Sequence, residues 1–597
     1  MNGSQNTPSP PPDISPASDF LRIDWPMLWK GLVIIAAACW VYAPTLHATW
    51  YGDDPLYLTE NPLLKDPTRL WKAWFEPGSF IEYYPLTQSV QWYQWLAWGT
   101  SDTFGYHVSN LVLHILSALL FWRLLNKFGL RLAWVGGFLF AIHPVMVDSI
   151  GTACELKNTL SLPPFLLAMA LYFDFEETRQ PHAYLLALTM FAVAMLCKIT
   201  MMFFPIMILI YAWWKRDRVT LNDLKISAPF FVLTLVLVAI NLQTSIWYAQ
   251  GTHYVQPGPT PLGGLESRAA LTGLSLAFYF GHCFLAWPIM PFYLQWPIDP
   301  PSLLQFAPWF GVFLVIGWCW RQREGWGRHA LLGLSFFTLG LAPFLGVYKV
   351  TYMCLTWFQD HFLYLPIIGL IAIVVAGLEQ AGEQLPRKVY PPGVAVTTLA
   401  AALLAFQTHS YAKLFADPEE LWAYNLQFNP NSWMARYHYG INLISVGQLN
   451  KERLEQGIEQ LQESTALNPD FFSSQFILGL ALNDDSRPVE AIGPLQEAVR
   501  IKPDYDMSRF VLGVNLEKAQ RFPEAVEQFE ALLKLNPHSD QAHTCLGVTL
   551  AHMGRNAEAV EQFQIALQIN PENAQARNFL AQWQNQQTRA TQKPVTP

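Results

Sequence analysis

Over the first 410 residues, apolar runs of roughly twenty residues alternate with short polar connections, and a shorter amphipathic rhythm follows. The runs at 27–47, 106–125, 132–150, 158–175, 183–197, 199–214, 226–247, 303–320, 330–347, 362–379 and 391–408 predict membrane-spanning helices. A further run, 269–288, is ambiguous, although Gly281, His282 and Pro288 near its end suit a helix lying along the membrane surface.

Positive charge in short loops sets the orientation of such helices. Arg123, Lys127 and Arg131 fall between the second and third runs, and Lys215, Arg216 and Arg218 follow the sixth. Reading both clusters as cytoplasmic puts the loops 48–104 and 148–158 outside. If 269–288 lies on the outer interface, Arg321, Arg323, Arg328, Arg387 and Lys388 also return to the cytoplasm. That count gives about eleven spans and an external C-terminal part.

Beyond the last run the period changes. Asn468-Pro469, Lys502-Pro503, Asn536-Pro537 and Asn570-Pro571 recur every 34 residues. Leu478-Gly479, Leu512-Gly513 and Leu546-Gly547 keep the interval, as do Glu490-Ala491, Glu524-Ala525 and Glu558-Ala559. This is the tetratricopeptide signature: small residues allow close helix pairing, and proline ends each unit because it cannot continue a helix. An earlier unit, with Asn429-Pro430 and Tyr439-Gly440, sits 39 residues ahead, which predicts about five extra residues around 446–453. Four to five units form a superhelix suited to holding another molecule.

The expected fold is therefore all-α: a polytopic transmembrane domain over 27–410 and an α-solenoid over 418–590, after a disordered cytoplasmic N-terminus at 1–26. Composition agrees, since 52% hydrophobic and 14% charged residues in 597 are too apolar for an ordinary soluble protein. A net charge of -8 gives no footprint for nucleic acid. The seven cysteines show neither metal-ligand spacing nor a disulfide framework.

The candidate chemistry lies at one membrane edge. Asp53 and Asp54 follow the first run, in Trp50-Tyr51-Gly52-Asp53-Asp54-Pro55. Ionisable groups at such a position are costly without a task. Neighbouring carboxylates repel, which raises one pKa and suits a general base. Oxygen ligands for a hard divalent cation are a second use, and helix capping before Pro55 is a third. The same loop holds Glu82, Tyr83-Tyr84-Pro85-Leu86 and six tryptophans (50, 71, 74, 92, 95, 98), which read as an interfacial belt or a surface for sugar or isoprenoid. The second outer loop carries His143, Asp148, Glu155, Lys157 and Asn158. Lys198 and the pair Asp360-His361 mark two more outer edges. Cations gathered on one face make a receptor for a lipid-borne phosphate, or are snorkelling side chains.

These residues, in this order, resemble a known family. The aspartate pair, Tyr-Tyr-Pro-Leu, Phe140-Ala141-Ile142-His143-Pro144 with Asp148, the Glu-x-Lys-Asn run and Asp360-His361-Phe362-Leu363-Tyr364-Leu365-Pro366 look like bacterial relatives of the transmembrane-and-tetratricopeptide-repeat O-mannosyltransferases. Those are GT-C membrane glycosyltransferases akin to the protein O-mannosyltransferases. The resemblance implies a polyprenyl-phosphate-linked sugar as donor and transfer on the outer, periplasmic side of a bacterial inner membrane. It implies Asp53 or Asp54 as base and Asp148 as a second acid. Tyr84, His143, Glu155, Lys157, Asn158, Lys198, Asp360 and His361 would lie near donor phosphate or substrate. Relatives usually carry Arg in place of His361, and His lacks the bidentate fork. Donor-phosphate binding is then either weaker here or carried by Lys157 and Lys198.

The expected function is an inverting transfer of mannose or another hexose to a protein or glycan hydroxyl presented by the repeats, with no certain cofactor and a divalent cation as the open option. One alternative is a non-catalytic membrane scaffold whose repeats recruit partners for envelope assembly. A lipid-linked sugar transporter is less consistent, because its charges would sit near mid-membrane.

Overall fold

The structure is a computed structural model that describes residues 25–252, 262–384, 390–447 and 450–591. The expected disordered segment 1–26 lies almost wholly outside the described residues, as do Arg387 and Lys388. The chain divides into two units, the first ending at Phe428 and the second starting at Asn429. Among the described residues there are helices and turns but no strand.

Every predicted run in the first unit is helical, but the helices differ in their capacity to cross a bilayer. Six are long and apolar enough: Trp25–His47, Phe104–Lys127, Leu221–Tyr248, Leu303–Arg321, Ile367–Gln384 and Pro392–Leu414. A seventh is the pair Ala133–Ile142 and Pro144–Gly151, bent by 54°. Among the described residues the count by length and composition is thus six or seven, against about eleven expected. Pro181–Cys197, Phe204–Arg216 and Trp326–Leu341 have 17, 13 and 16 residues. Leu156–Thr178 is longer but carries Lys157, Asn158 and two internal prolines. The ambiguous run forms a helix that stops at His282 and is not among those able to cross.

Buried polar groups must be partnered, and here they hold the non-helical breaks. The Phe104–Lys127 helix buries His107, Asn110, His114 and Ser117 on one face. His107 meets the carbonyls of Ala48 (3.1 Å) and Ile150 (3.3 Å), and Asn110 donates to the carbonyl of Thr152 (3.0 Å). Both outer loops are therefore tied to one helix. At its other end, Lys127 pairs with buried Asp174, and Arg216 pairs with Glu176 and Asp223. The two basic clusters thus share one end of the bundle.

The loop 48–104 has a core of its own. Trp50, Trp74, Trp92, Trp95 and Trp98 pack around Tyr57, Leu58, Phe80 and Tyr106. Trp74 donates to Ser89 Oγ (2.9 Å) and Trp50 to the carbonyl of Thr100 (3.2 Å). The expected belt is mostly the inside of a small subdomain, because a loop this long buries its own aromatic area. Trp71, 53% exposed, is the exception.

The second unit alternates helices from Trp433–Gly447 to Ala574–Thr591. A Cβ on Gly479, Gly513 or Gly547 would come within 2.5–2.8 Å of Leu495, Phe529 or Phe563 on the paired helix, so the Leu-Gly steps mark the closest approaches. The position four residues before each of these glycines also reads the turn: Gln475, Arg509 and His543 meet the carbonyls of Pro469, Pro503 and Pro537 at 3.0–3.3 Å. Each turn proline thus offers its carbonyl to the following helix. The five extra residues of the first unit lengthen its helices to 15 and 17 residues, where the next unit has 13 and 14. The segment Pro418–Phe428, expected to open the solenoid, packs in the first unit instead.

Candidate active site

Asp53 and Asp54 point in different directions. Asp54 is fully buried, and its carboxylate accepts the N–H groups of Cys154 (2.7 Å), Ala153 (3.4 Å) and Tyr51 (3.0 Å). It staples the first outer loop to the second. Burial pushes its pKa up to about 7, although the N–H donors pull the other way. Asp53, one residue earlier, makes no side-chain hydrogen bond to another described residue. Its side chain reaches solvent although protein surrounds it, which places it in an open recess. Burial also raises its pKa, and Lys157, Glu155, His361 and Glu82 all act on its charge.

The expected cations converge on that recess. Lys157 Nζ lies 3.4 Å from Glu155 and 3.8 Å from Glu82, over the ring of Tyr57 at 4.3 Å. Tyr57 donates to Glu82 at 2.6 Å, and Tyr84 is buried beside the same carboxylate. Lys198 donates to Asn158, 4.0 Å from Glu155, and Asn158 donates to Glu155. Burial would raise the Glu155 pKa, but the charges of His361, Lys157 and Lys198 hold it down to about 2. Burial lowers Lys198 to about 8, with Lys157 adding to the effect and Glu155 opposing it. His361 Nδ1 is 2.7 Å from Asp148 Oδ2, and Asp148 also accepts from Thr152 at 3.3 Å.

Two expected substrate contacts have other tasks. His143 is 4% exposed, accepts the N–H of Val145 and meets the carbonyl of Cys283 at 3.0 Å. It serves the bend of its helix pair, whose freed carbonyls at Ile142 and His143 are taken by Thr408 and Tyr42. Asp360 is enclosed: Tyr293 OH lies 2.9 and 3.0 Å from its two oxygens, and His282 Nε2 is 3.2 Å away. Tyr57, His282 and Tyr293 were not singled out as site residues from sequence, and no spacing marks them. Glu82, next to Tyr83-Tyr84-Pro85-Leu86, carried the more usable signal.

Asn158, Lys198 and His361 line a cavity of ≈ 10 Å³ that also touches Gly340, Leu365 and Pro366. Along the same two helices, Gly333, Phe336, Ile368 and Gly369 border a groove of ≈ 470 Å³ with apolar walls. The two share no lining residue, and the groove runs on to Phe128, Trp214 and Glu379, toward the end that carries the basic clusters. Both oxygens of Asp54 accept N–H groups, whereas the Asp53 carboxylate bonds to no other described residue. No cluster of three or more His, Cys, Asp or Glu is placed to hold a metal among the described residues.

Comparison with known proteins fits this arrangement. Residues 89–245 match the family of dolichyl-phosphate-mannose-protein mannosyltransferases, and 447–506 and 510–588 match tetratricopeptide repeats. A Protein O-mannosyl-transferase of Caenorhabditis elegans is 27% identical over 154 residues, 23% of this chain. The match spans 22% of that relative's length. Among solved structures, YrrB, described as a TPR protein with an unusual peptide-binding site, is 22% identical at a TM-score of 0.26, covering 30% of this chain and 89% of its own. MamA is also 22% identical, at 0.24, covering 26% and 88%. Over residues 89–245 the chain is mannosyltransferase-like, it carries tetratricopeptide repeats, and several of its helices are apolar enough to cross a membrane.

Proposed function

We propose that this protein moves a mannose or another hexose from a polyprenyl-phosphate-linked donor to a protein or glycan hydroxyl on the outer face of the membrane. The observation that carries this reading is the division of labour between the paired acids. Asp54 is consumed by backbone N–H groups, while Asp53 stands open beside Lys157, Glu155 and His361. A carboxylate raised by burial, with free oxygens, is suited to general base catalysis.

In this account Asp53 takes the proton from the acceptor hydroxyl as its oxygen attacks the anomeric carbon. The new glycosidic bond forms on the face opposite the lipid phosphate, so the configuration inverts. The bond between anomeric carbon and phosphate oxygen breaks, and the phosphate departs with the electron pair. Lys198 and Lys157 stabilise its charge, as fixed donors do for a developing anion. Asp148 holds His361 for the same oxygens or for the sugar. The apolar groove takes the isoprenoid chain. No step is routed through a metal.

The basic clusters at the opposite end of the bundle favour an outer active site under the positive-inside rule. With the resemblance, this supports a site on the periplasmic side of a bacterial inner membrane, where the repeats would engage the acceptor. Purified protein in lipid nanodiscs, given synthetic polyprenyl-phosphate-mannose, should release lipid phosphate faster than an Asp53→Asn variant. Equal release by the two would leave the non-catalytic scaffold as the better reading.

A further inference from the structure

The helix Pro418–Phe428 belongs to the first unit, and the first repeat helix begins at Trp433. Its Trp422 is 1% exposed and lies between two other rings. On one side it stacks on Tyr51 (centroids 5.3 Å apart, planes at 24°), on the other on Phe292 (5.7 Å, 13°). Asn425 of the same helix donates to the carbonyl of Phe292 at 3.1 Å. Phe415 meets Tyr51 edge-on at 5.4 Å and crowds Gly151, where a Cβ would come within 2.7 Å of its ring. The second outer loop and the segment around Phe292 are therefore locked to the same aromatic group.

Tyr51 is the start of the turn that carries the paired acids. Its N–H donates to Asp54 Oδ2 at 3.0 Å, and its carbonyl accepts the N–H of Asp54 at 2.9 Å. Asp53 is thus held in a turn closed at both ends by Tyr51 and Asp54. Asp54 anchors one end through Cys154, and the stacked ring of Tyr51 anchors the other. The Asp53 carbonyl accepts the N–H of Tyr57 at 3.1 Å while its carboxylate bonds to no other described residue, so its placement depends on this turn.

We infer that Trp422 is a positioning residue for Asp53, acting through the Tyr51 ring. This rests on Asp53 as the base. The covalent attachment of the repeats then runs through the helix that orients the base. Aromatic stacking supplies a preference for one geometry beyond area burial, and a displacement near 1 Å at a reacting group costs about 10²-fold in rate.

The test uses the full chain in nanodiscs with synthetic polyprenyl-phosphate-mannose, comparing wild type, Trp422→Ala, Trp422→Phe and Asp53→Asn. Turnover and amide hydrogen exchange are both read. Trp422→Ala should lower kcat about 10²-fold with donor KM little changed, and speed exchange across 51–57 but not across 472–569. Trp422→Phe, which keeps a stacking ring, should recover most of both. Wild-type kcat, or unchanged exchange at 51–57, in Trp422→Ala would overturn the inference. If Trp422→Ala unfolds broadly, Tyr51→Leu removes the partner ring while leaving the helix intact, and the same two readouts decide. An active Asp53→Asn instead sinks the base assignment, whatever Trp422 does.

Discussion

His361 Nδ1 lies 2.7 Å from Asp148 Oδ2, joining residues that are 213 positions apart in the chain. The contact ties the turn at Asp360–Leu363 to the short helix Val147–Gly151 that ends the bent pair. It gives the histidine a carboxylate to orient it, as a catalytic imidazole requires. His361→Ala should lower turnover about 10²-fold, while His361→Arg, which supplies N–H donors for Asp148, should retain most of it. Donor turnover and KM measured for both variants check this.

Asp53 and Asp54 should separate cleanly on mutation. Asp53→Asn should reduce kcat by about 10²–10⁴-fold and leave the loops intact. Asp54→Asn should act on structure, since its amide cannot accept every N–H that Asp54 does, and a buried unsatisfied group costs about 1–3 kcal/mol. Exchange at Ala153 and Cys154 should accelerate in Asp54→Asn alone.

The pH profile of kcat/KM should be bell-shaped, reporting the free enzyme. Asp53 must be ionised to act, and burial raises its pKa, so the acid limb should lie above the ordinary carboxylate range. Lys198 must be protonated to meet phosphate. Burial lowers it to about 8, so activity should fall as pH rises through that value. In Lys198→Arg the guanidinium stays charged, and the alkaline limb should move upward.

In the repeats, Gly513→Val should loosen one step of the solenoid, because even a Cβ there falls 2.7 Å from the Phe529 ring. Overpacking of this kind costs about 1–3 kcal/mol. Exchange should rise in Asp506–Lys518 and Phe522–Leu535 and leave the membrane unit unchanged.

Features carried by periodicity were readable in the sequence. The 34-residue interval located each turn proline and each Leu-Gly contact, because a repeating fold writes its packing into spacing. Apolar runs located the helices of the first unit, but among the described residues six or seven rather than about eleven are long and apolar enough to cross a membrane, and length alone did not show that one pair bends at His143. Within the site, Glu155, Lys157, Asn158, Lys198 and His361 do converge, as their common membrane edge implied. Side-chain direction within a turn was not readable. Asp53 and Asp54 are adjacent and identical, and only the N–H groups of Ala153 and Cys154, a hundred residues away, separate them. The same holds for Trp422, whose partners Tyr51 and Phe292 lie far off in sequence and share no pattern with it.

Glycopeptide and glycan mass spectrometry in the native host tests the central claim most directly. It would compare wild type, a deletion, Asp53→Asn and Asp54→Asn, matched for membrane abundance. The account predicts a hexose-type modification that vanishes in the deletion and in Asp53→Asn. A modification lost in the deletion but intact in Asp53→Asn would contradict it and assign the chemistry to another protein.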